Sequence, residues 1–148
     1  MSNNVIINKL ENAMNMNNEF VKVICDQELK LRISGVRSST IGNQIACVAR
    51  ARDAYSKCII SDEAFSWCPD FPYEDRYDQI KLDQHLQAVG HKLLASLRSS
   101  ESLSENQLDL IVDLISHEFL HQGQLVRYFY ANALTMPSMT KKFWHLED

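Results

Sequence analysis

The chain is poor in the residues that break helices. It has four glycines and three prolines in 148 residues, and it shows no alternating apolar/polar run of any length. A sheet-rich fold needs both turn residues and alternation, so a sheet-rich fold is excluded. No run approaches the roughly 18 continuous apolar residues of a membrane span. Residues 1–10 are polar, with no apolar segment of the kind that opens a secretory leader. These gaps predict a soluble, cytoplasmic protein with no membrane partner. A basic stripe is missing too. Net charge is −4, and Lys141-Lys142 is an isolated pair, so nucleic acid is not an expected ligand. The four cysteines, Cys25, Cys47, Cys58 and Cys68, form no C-x-x-C pair. In a reducing compartment they are expected to be free thiols.

What remains is a chain of one-domain size (residues 1–148) with 45% hydrophobic residues, ample for a buried core. Its apolar residues recur at helical spacing. Ile7, Leu10, Met14, Val21 and Ile24 predict a first helix over 5–24, with Asn17 interrupting the apolar side. Two adjoining stripes predict a second helix over 40–60, namely Ile41, Ile45, Val48, Tyr55 and Ile59 beside Cys47, Ala51, Ala54 and Cys58. Ser39 or Thr40 suits its N-cap. Residues 61–76 hold Pro69, Pro72 and the aromatics Phe65, Trp67, Phe71 and Tyr73. A connector of this kind reads as a packed crossover or the wall of a site. Leu82, Leu86, Val89, Leu93 and Leu97 predict a third helix over 77–97. A fourth starts at a Ser104/Gln107 capping box and runs to about residue 134, before Pro137. The pattern is an all-α four-helix bundle with a long crossover between helices 2 and 3.

His117-Glu118-Phe119-Leu120-His121 carries the chemistry. Residues four apart share a helix face about one turn apart, so one metal ion can be reached by both imidazoles. Two satisfied core histidines would give the same spacing. Gly123 adds weight, because a helical glycine costs about 1 kcal/mol and persists where a backbone or ligand comes close. Gln124 and Tyr128 continue the same side as candidate orienting groups. Glu118 lies about 100° round the helix from His117, in a solvated or supporting position. His-Glu-x-x-His is also the signature of zinc proteases, with the Glu as general base. That reading lacks its third ligand. Positions 124 and 127 are Gln and Arg, and the only later Glu is Glu147 near the end of the chain. A metal-dependent hydrolase is the lesser alternative.

The run His117-Glu118-x-x-His121-Gln122-Gly123-Gln124 resembles the last-helix motif of the DinB-like superfamily, commonly His-Glu-x-x-His-Arg-Gly-Gln. The turn at Met136-Pro137 and the segment Phe143-Trp144-His145-Leu146 are similar to that family's turn and aromatic tail. Ser39-Thr40-Ile41-Gly42-Asn43-Gln44-Ile45-Ala46-Cys47 looks like its entry to helix 2, Ser-Ile-Gly-Glu-x-Leu-x-His. The resemblance implies a bundle in up-down-down-up order, often a homodimer. It also implies a divalent metal held by one His of helix 2 and two of the last helix. Members with assigned chemistry include thiol-dependent S-transferases and isomerases that use a low-molecular-weight thiol; others have no assigned reaction.

The chain departs from the family at the first ligand, where Cys47 replaces His. A thiolate binds Zn²⁺ well, and three protein ligands with one open position are the catalytic-zinc pattern. Cys47, His117 and His121 would favour zinc or nickel over magnesium or calcium. Cys47 as a small buried apolar residue is the competing reading. His85 could replace it as a ligand, or sit half-exposed at a helix edge. His91 and His145 read as surface and tail residues. Trp67 and Tyr73 could wall the pocket or only cap the core. No residue is assigned a catalytic role. The expected activity is a metal-dependent S-transferase acting on a small molecule, against a catalytically silent dimeric bundle that binds a metal or ligand.

Overall fold

The computed structural model describes residues 3–147. They contain five α-helices, α1 (Asn3–Lys22), α2 (Ile41–Ser61), α3 (Gln79–Ser99), α4 (Glu105–Ala131) and α5 (Ser138–Trp144), with short 3₁₀ turns at Glu28–Lys30 and Tyr73–Tyr77. There is no strand among the described residues. The fold is all-α. Both α1 and α2 pack against α3 and α4, so α1 lies across from α2, and α3 across from α4.

Local chemistry sets the boundaries. Thr40 is the N-cap of α2, its Oγ1 accepting the Asn43 amide at 3.1 Å. The Ser104/Gln107 capping box forms as expected, with bonds of 3.0 and 2.9 Å. The expected end of α4 near residue 134 is three residues late. Ala133 adopts φ +53, and the amides of Ala133 and Leu134 reach back to Tyr130 O and Phe129 O at 3.2 and 2.9 Å. This is a left-handed helix stop with Leu134 folded onto the core. It acts before Pro137 can. Pro137 instead precedes α5, which the sequence pattern did not reveal. Trp144 Nε1–H donates to Gln122 Oε1 at 2.5 Å. The Phe119 ring lies 5.8 Å from Trp144 and 6.3 Å from Phe143.

Two apolar clusters fill the interior. One joins Phe20 and Val21 of α1, Ile41 and Ile45 of α2, Leu82 and Leu86 of α3, and Leu125 and Phe129 of α4. The other joins Ile7 and Leu10, Ile59, Leu93 and Leu97, and Leu110 and Leu114. Between these levels of the helices lies a polar layer. Arg52 and Glu118 are both 0% exposed. Arg52 Nε and Nη2 donate to the two Glu118 oxygens at 2.5 and 3.0 Å. Its Nη1 donates to Asn18 Oδ1 and Leu86 O, and Nη2 also to Met14 O. Five guanidinium protons thus find five acceptors. Asn17, the gap in the first apolar stripe, donates to Glu118 Oε2 at 2.6 Å. One side chain of α2 therefore ties α1, α3 and α4 to a common level.

The crossover 62–78 is packed only around Phe71; residues 61–68 are exposed. Phe71 is buried in the core. The Phe71 carbonyl accepts from Arg50 Nη1 at 2.7 Å, and Asp53 Oδ2 accepts the Asp70 and Phe71 amides at 2.9 and 2.7 Å. At the other end Gly42 lies under the Tyr73–Tyr77 turn. A Cβ there would stand 2.4 Å from Arg76 O and 2.7 Å from the Tyr77 ring. Backbone cannot yield that much. Gly42→Ala is expected to destabilise the fold by about 1–3 kcal/mol, read as a lower midpoint in urea with unchanged slope.

Candidate metal centre

Gln44 and Cys47 lie three residues apart in α2, and His117 and His121 four apart in α4. The packing of α2 on α4 brings these two turns together. Cys47 Sγ lies 3.8 Å from His117 Nε2, and the His117 and His121 ring centres are 4.5 Å apart. One ligand atom from each of Cys47, His117 and His121 lies within 4.8 Å of the others. Tetrahedral zinc with sulfur and imidazole ligands separates its donors by about 3.5 Å, so small side-chain adjustments would close the set. All three residues are half-buried or buried.

The electrostatics suit ligation. Burial pushes the His121 pKa down to about 4, helped by His117, while Gln124 opposes the shift. Burial also lowers His117, against the nearby Glu118 charge. Both rings are therefore neutral near pH 7, the form that binds metal. Burial raises the Cys47 thiol pKa, and Arg50 pulls the other way. Without a cation Cys47 keeps its proton. His121 Nδ1–H donates to Gln44 Oε1 at 2.7 Å. That bond fixes the tautomer and leaves Nε2 as the lone-pair nitrogen. His117 Nδ1 and Gln124 Oε1 are buried without hydrogen-bond partners. Orphaned buried polar atoms are unfavourable by about 1–3 kcal/mol each, which is typical of a site shaped for something else.

The chain matches no family model, no curated protein and no solved structure.

The other candidates distribute differently. Glu118 is not solvated. Both its oxygens are committed to Arg52 and Asn17, where a general base beside the two imidazoles would need a free one. Gly123 has open space where a Cβ would go, so no close approach explains it. Tyr128 sits in the core and donates its hydroxyl to Ser39 O at 2.9 Å. His85 stays outside the cluster, its Nε2 bonded to Asp53 Oδ1 at 2.6 Å. His91 and His145 are exposed. Trp67 and Tyr73 are exposed as well, and Tyr73 donates to Asn43 Oδ1 at 2.9 Å. Two polar features of the structure went unread in the sequence. Gln44 had a signal, since it precedes Cys47 by one turn on the same face. The Asp53–His85 pair had none, because nothing local in either helix announces the other. No helix among the described residues is long and apolar enough to cross a membrane.

Proposed function

We propose that the chain is a DinB-like bundle whose Cys47, His117 and His121 hold one divalent ion of the zinc or nickel class, and that it acts as a thiol-dependent S-transferase on a small molecule. The same reading makes it a cytoplasmic homodimer in up-down-down-up order. The order agrees with the two apolar clusters, where the start of α1 meets the ends of α2 and α3 and the start of α4.

The observation that carries the proposal is the convergence of one sulfur and two neutral imidazoles on a single point from two helices. A thiolate and two imidazoles are a donor set for zinc, not for magnesium or calcium. The ion would supply Lewis acidity, lowering the pKa of a water or thiol in the open position. The chain's own groups do the rest. Gln44 holds the His121 tautomer. Arg50 favours the Cys47 thiolate against burial. Gln124 Oε1, unpartnered, is an acceptor for an S–H or water proton beside the two rings. A low-molecular-weight thiol is the cosubstrate this chemistry fits.

Cobalt substitution tests the donor set. Co²⁺ should bind one per chain and give a sulfur-to-metal charge-transfer band. Cys47→Ala should lose the band, and His117→Ala should weaken binding at least about 100-fold. Thiol conjugation to a chloronitrobenzene electrophile should then depend on the metal. Metal retained at parent affinity in both His117→Ala and His121→Ala would overturn the site. Stoichiometric metal without any thiol conjugation would leave a binding protein and remove the transferase.

A further inference from the structure

A second chemical site lies on a different face of α2. Asp53, Ser56 and Ile60 of α2 stand opposite His85, Val89 and Lys92 of α3, and together they line a cleft of about 530 Å³. The two sets repeat at three- and four-residue spacing, so the cleft follows the groove between the helices. Cys47, His117 and His121 are not part of its lining. The volume is that of a small-molecule pocket.

The floor is built and polar. Asp53 is 3% exposed. Its Oδ2 is held by two backbone amides, and its Oδ1 lies 2.6 Å from His85 Nε2. Burial alone would raise the Asp53 pKa, but the bonds from His85 and the backbone outweigh it and hold the group below the usual carboxylate range. A carboxylate can only accept, so His85 Nε2 donates to Asp53 and Nδ1 is the other ring nitrogen. Nδ1 has no partner among the described residues. The Ser56 hydroxyl is buried and also without a partner, in a residue only 5% exposed. One unused hydroxyl and one unused ring nitrogen thus belong to residues that line the cleft. A ligand hydroxyl, which both donates and accepts, would pair with both.

The rest of the lining selects the other end of the ligand. Ile60 and Val89 supply apolar wall. Lys57 is neutralised by Asp70 at 2.7 Å. Lys92 has no ion pair among the described residues and is exposed on the cleft lining. We propose that this α2–α3 cleft binds a small organic carboxylate with an apolar body and a hydroxyl at its far end. The hydroxyl would sit between Ser56 and His85, and the carboxylate beside Lys92. This site stands independently of the metal reading.

The probes are 4-hydroxyphenylacetate, phenylacetate and 4-hydroxyphenylacetamide, titrated into the full chain while the ¹⁵N imidazole signals of His85 are followed by NMR. The hydroxy acid should saturate one site and move the His85 signals. Phenylacetate, which leaves Ser56 and His85 unpaired, should bind at least about tenfold more weakly. Lys92→Gln, an exposed change that leaves the core intact, should weaken the hydroxy acid several-fold and the neutral amide not at all. Ser56→Ala should reduce the preference for the hydroxyl. The absence of a saturable shift up to about 10 mM would overturn the site. So would equal affinity for all three probes, or indifference of the hydroxy acid to Lys92→Gln.

Discussion

Glu118→Gln should lower the stability of this protein by about 3–5 kcal/mol, because it strands a buried guanidinium. For a chain of this size that corresponds to a fall of roughly 10–15 °C in Tm, read by circular dichroism on metal-free protein. The reason is the completeness of the Arg52 arrangement. Every guanidinium proton has an acceptor, and two of the five bonds go to Glu118. The amide keeps the shape of the carboxylate, removes its charge and puts an NH₂ against donors. Breaking a buried pair is far worse than never having it. Arg52→Met combined with Glu118→Leu should therefore recover much of the loss, though not all, since Asn17 and the Met14 and Leu86 carbonyls would lose partners. A Glu118→Gln protein within about 2 °C of the parent would mean that the ion pair contributes little. The experiment also separates two roles for the same residue. A hydrolytic general base can be exchanged for Gln with loss of rate and an intact fold. A structural anion cannot.

The contrast between Glu118 and its two histidine neighbours shows what a sequence can reveal here. His117 and His121 were legible because helical spacing is local, and four residues bring two rings onto one face whatever surrounds them. Cys47 was legible only through its place in a longer motif, since its separation of 70 positions from His117 is bridged by packing, not by periodicity. Glu118 and Arg52 were opaque. Charged residues are rarely buried, and a lone one in a helix is read as solvated. Faint signals existed. Asn17 broke an apolar stripe, and Arg52 sits among Ala46, Ala49, Ala51 and Ala54, small residues that let a long side chain cross the interior. Neither signal names its partner, which lies on another helix. Gly123 failed for the opposite reason. A helical glycine suggested a close approach, and the position faces open space. The helix ends divide similarly. The capping box at Ser104 is written in two residues three apart, whereas the stop at Ala133 relies on a left-handed alanine that no composition rule anticipates.

Acid should unmake the metal-free fold in a window set by buried His121 and half-buried His117. His121 has a folded-state pKa of about 4 against 6.5 for the free side chain, chiefly through burial and then through His117. Between these values the unfolded chain binds the proton that the folded chain refuses. Stability therefore rises with pH across the window. The contribution is fully present above about pH 6.5 and gone near pH 4, and it amounts to about 3 kcal/mol for His121. His117 is shifted in the same direction, and the neighbouring rings titrate as a pair. Zinc would widen the contrast. Its ligands must be neutral imidazoles and a thiolate, and Cys47 is held protonated by burial, so binding must release a proton and weaken as pH falls. At 1,000 times its Kd, zinc should add about 4 kcal/mol at neutral pH and almost nothing at about pH 4.5. His121→Ala should reduce the acid limb of the metal-free protein to what His117 contributes, and should remove the zinc increment. Urea midpoints at the two pH values, with and without zinc, measure all four quantities. A zinc increment that persists in acid, or that survives His121→Ala, would mean that the ion binds elsewhere on the chain.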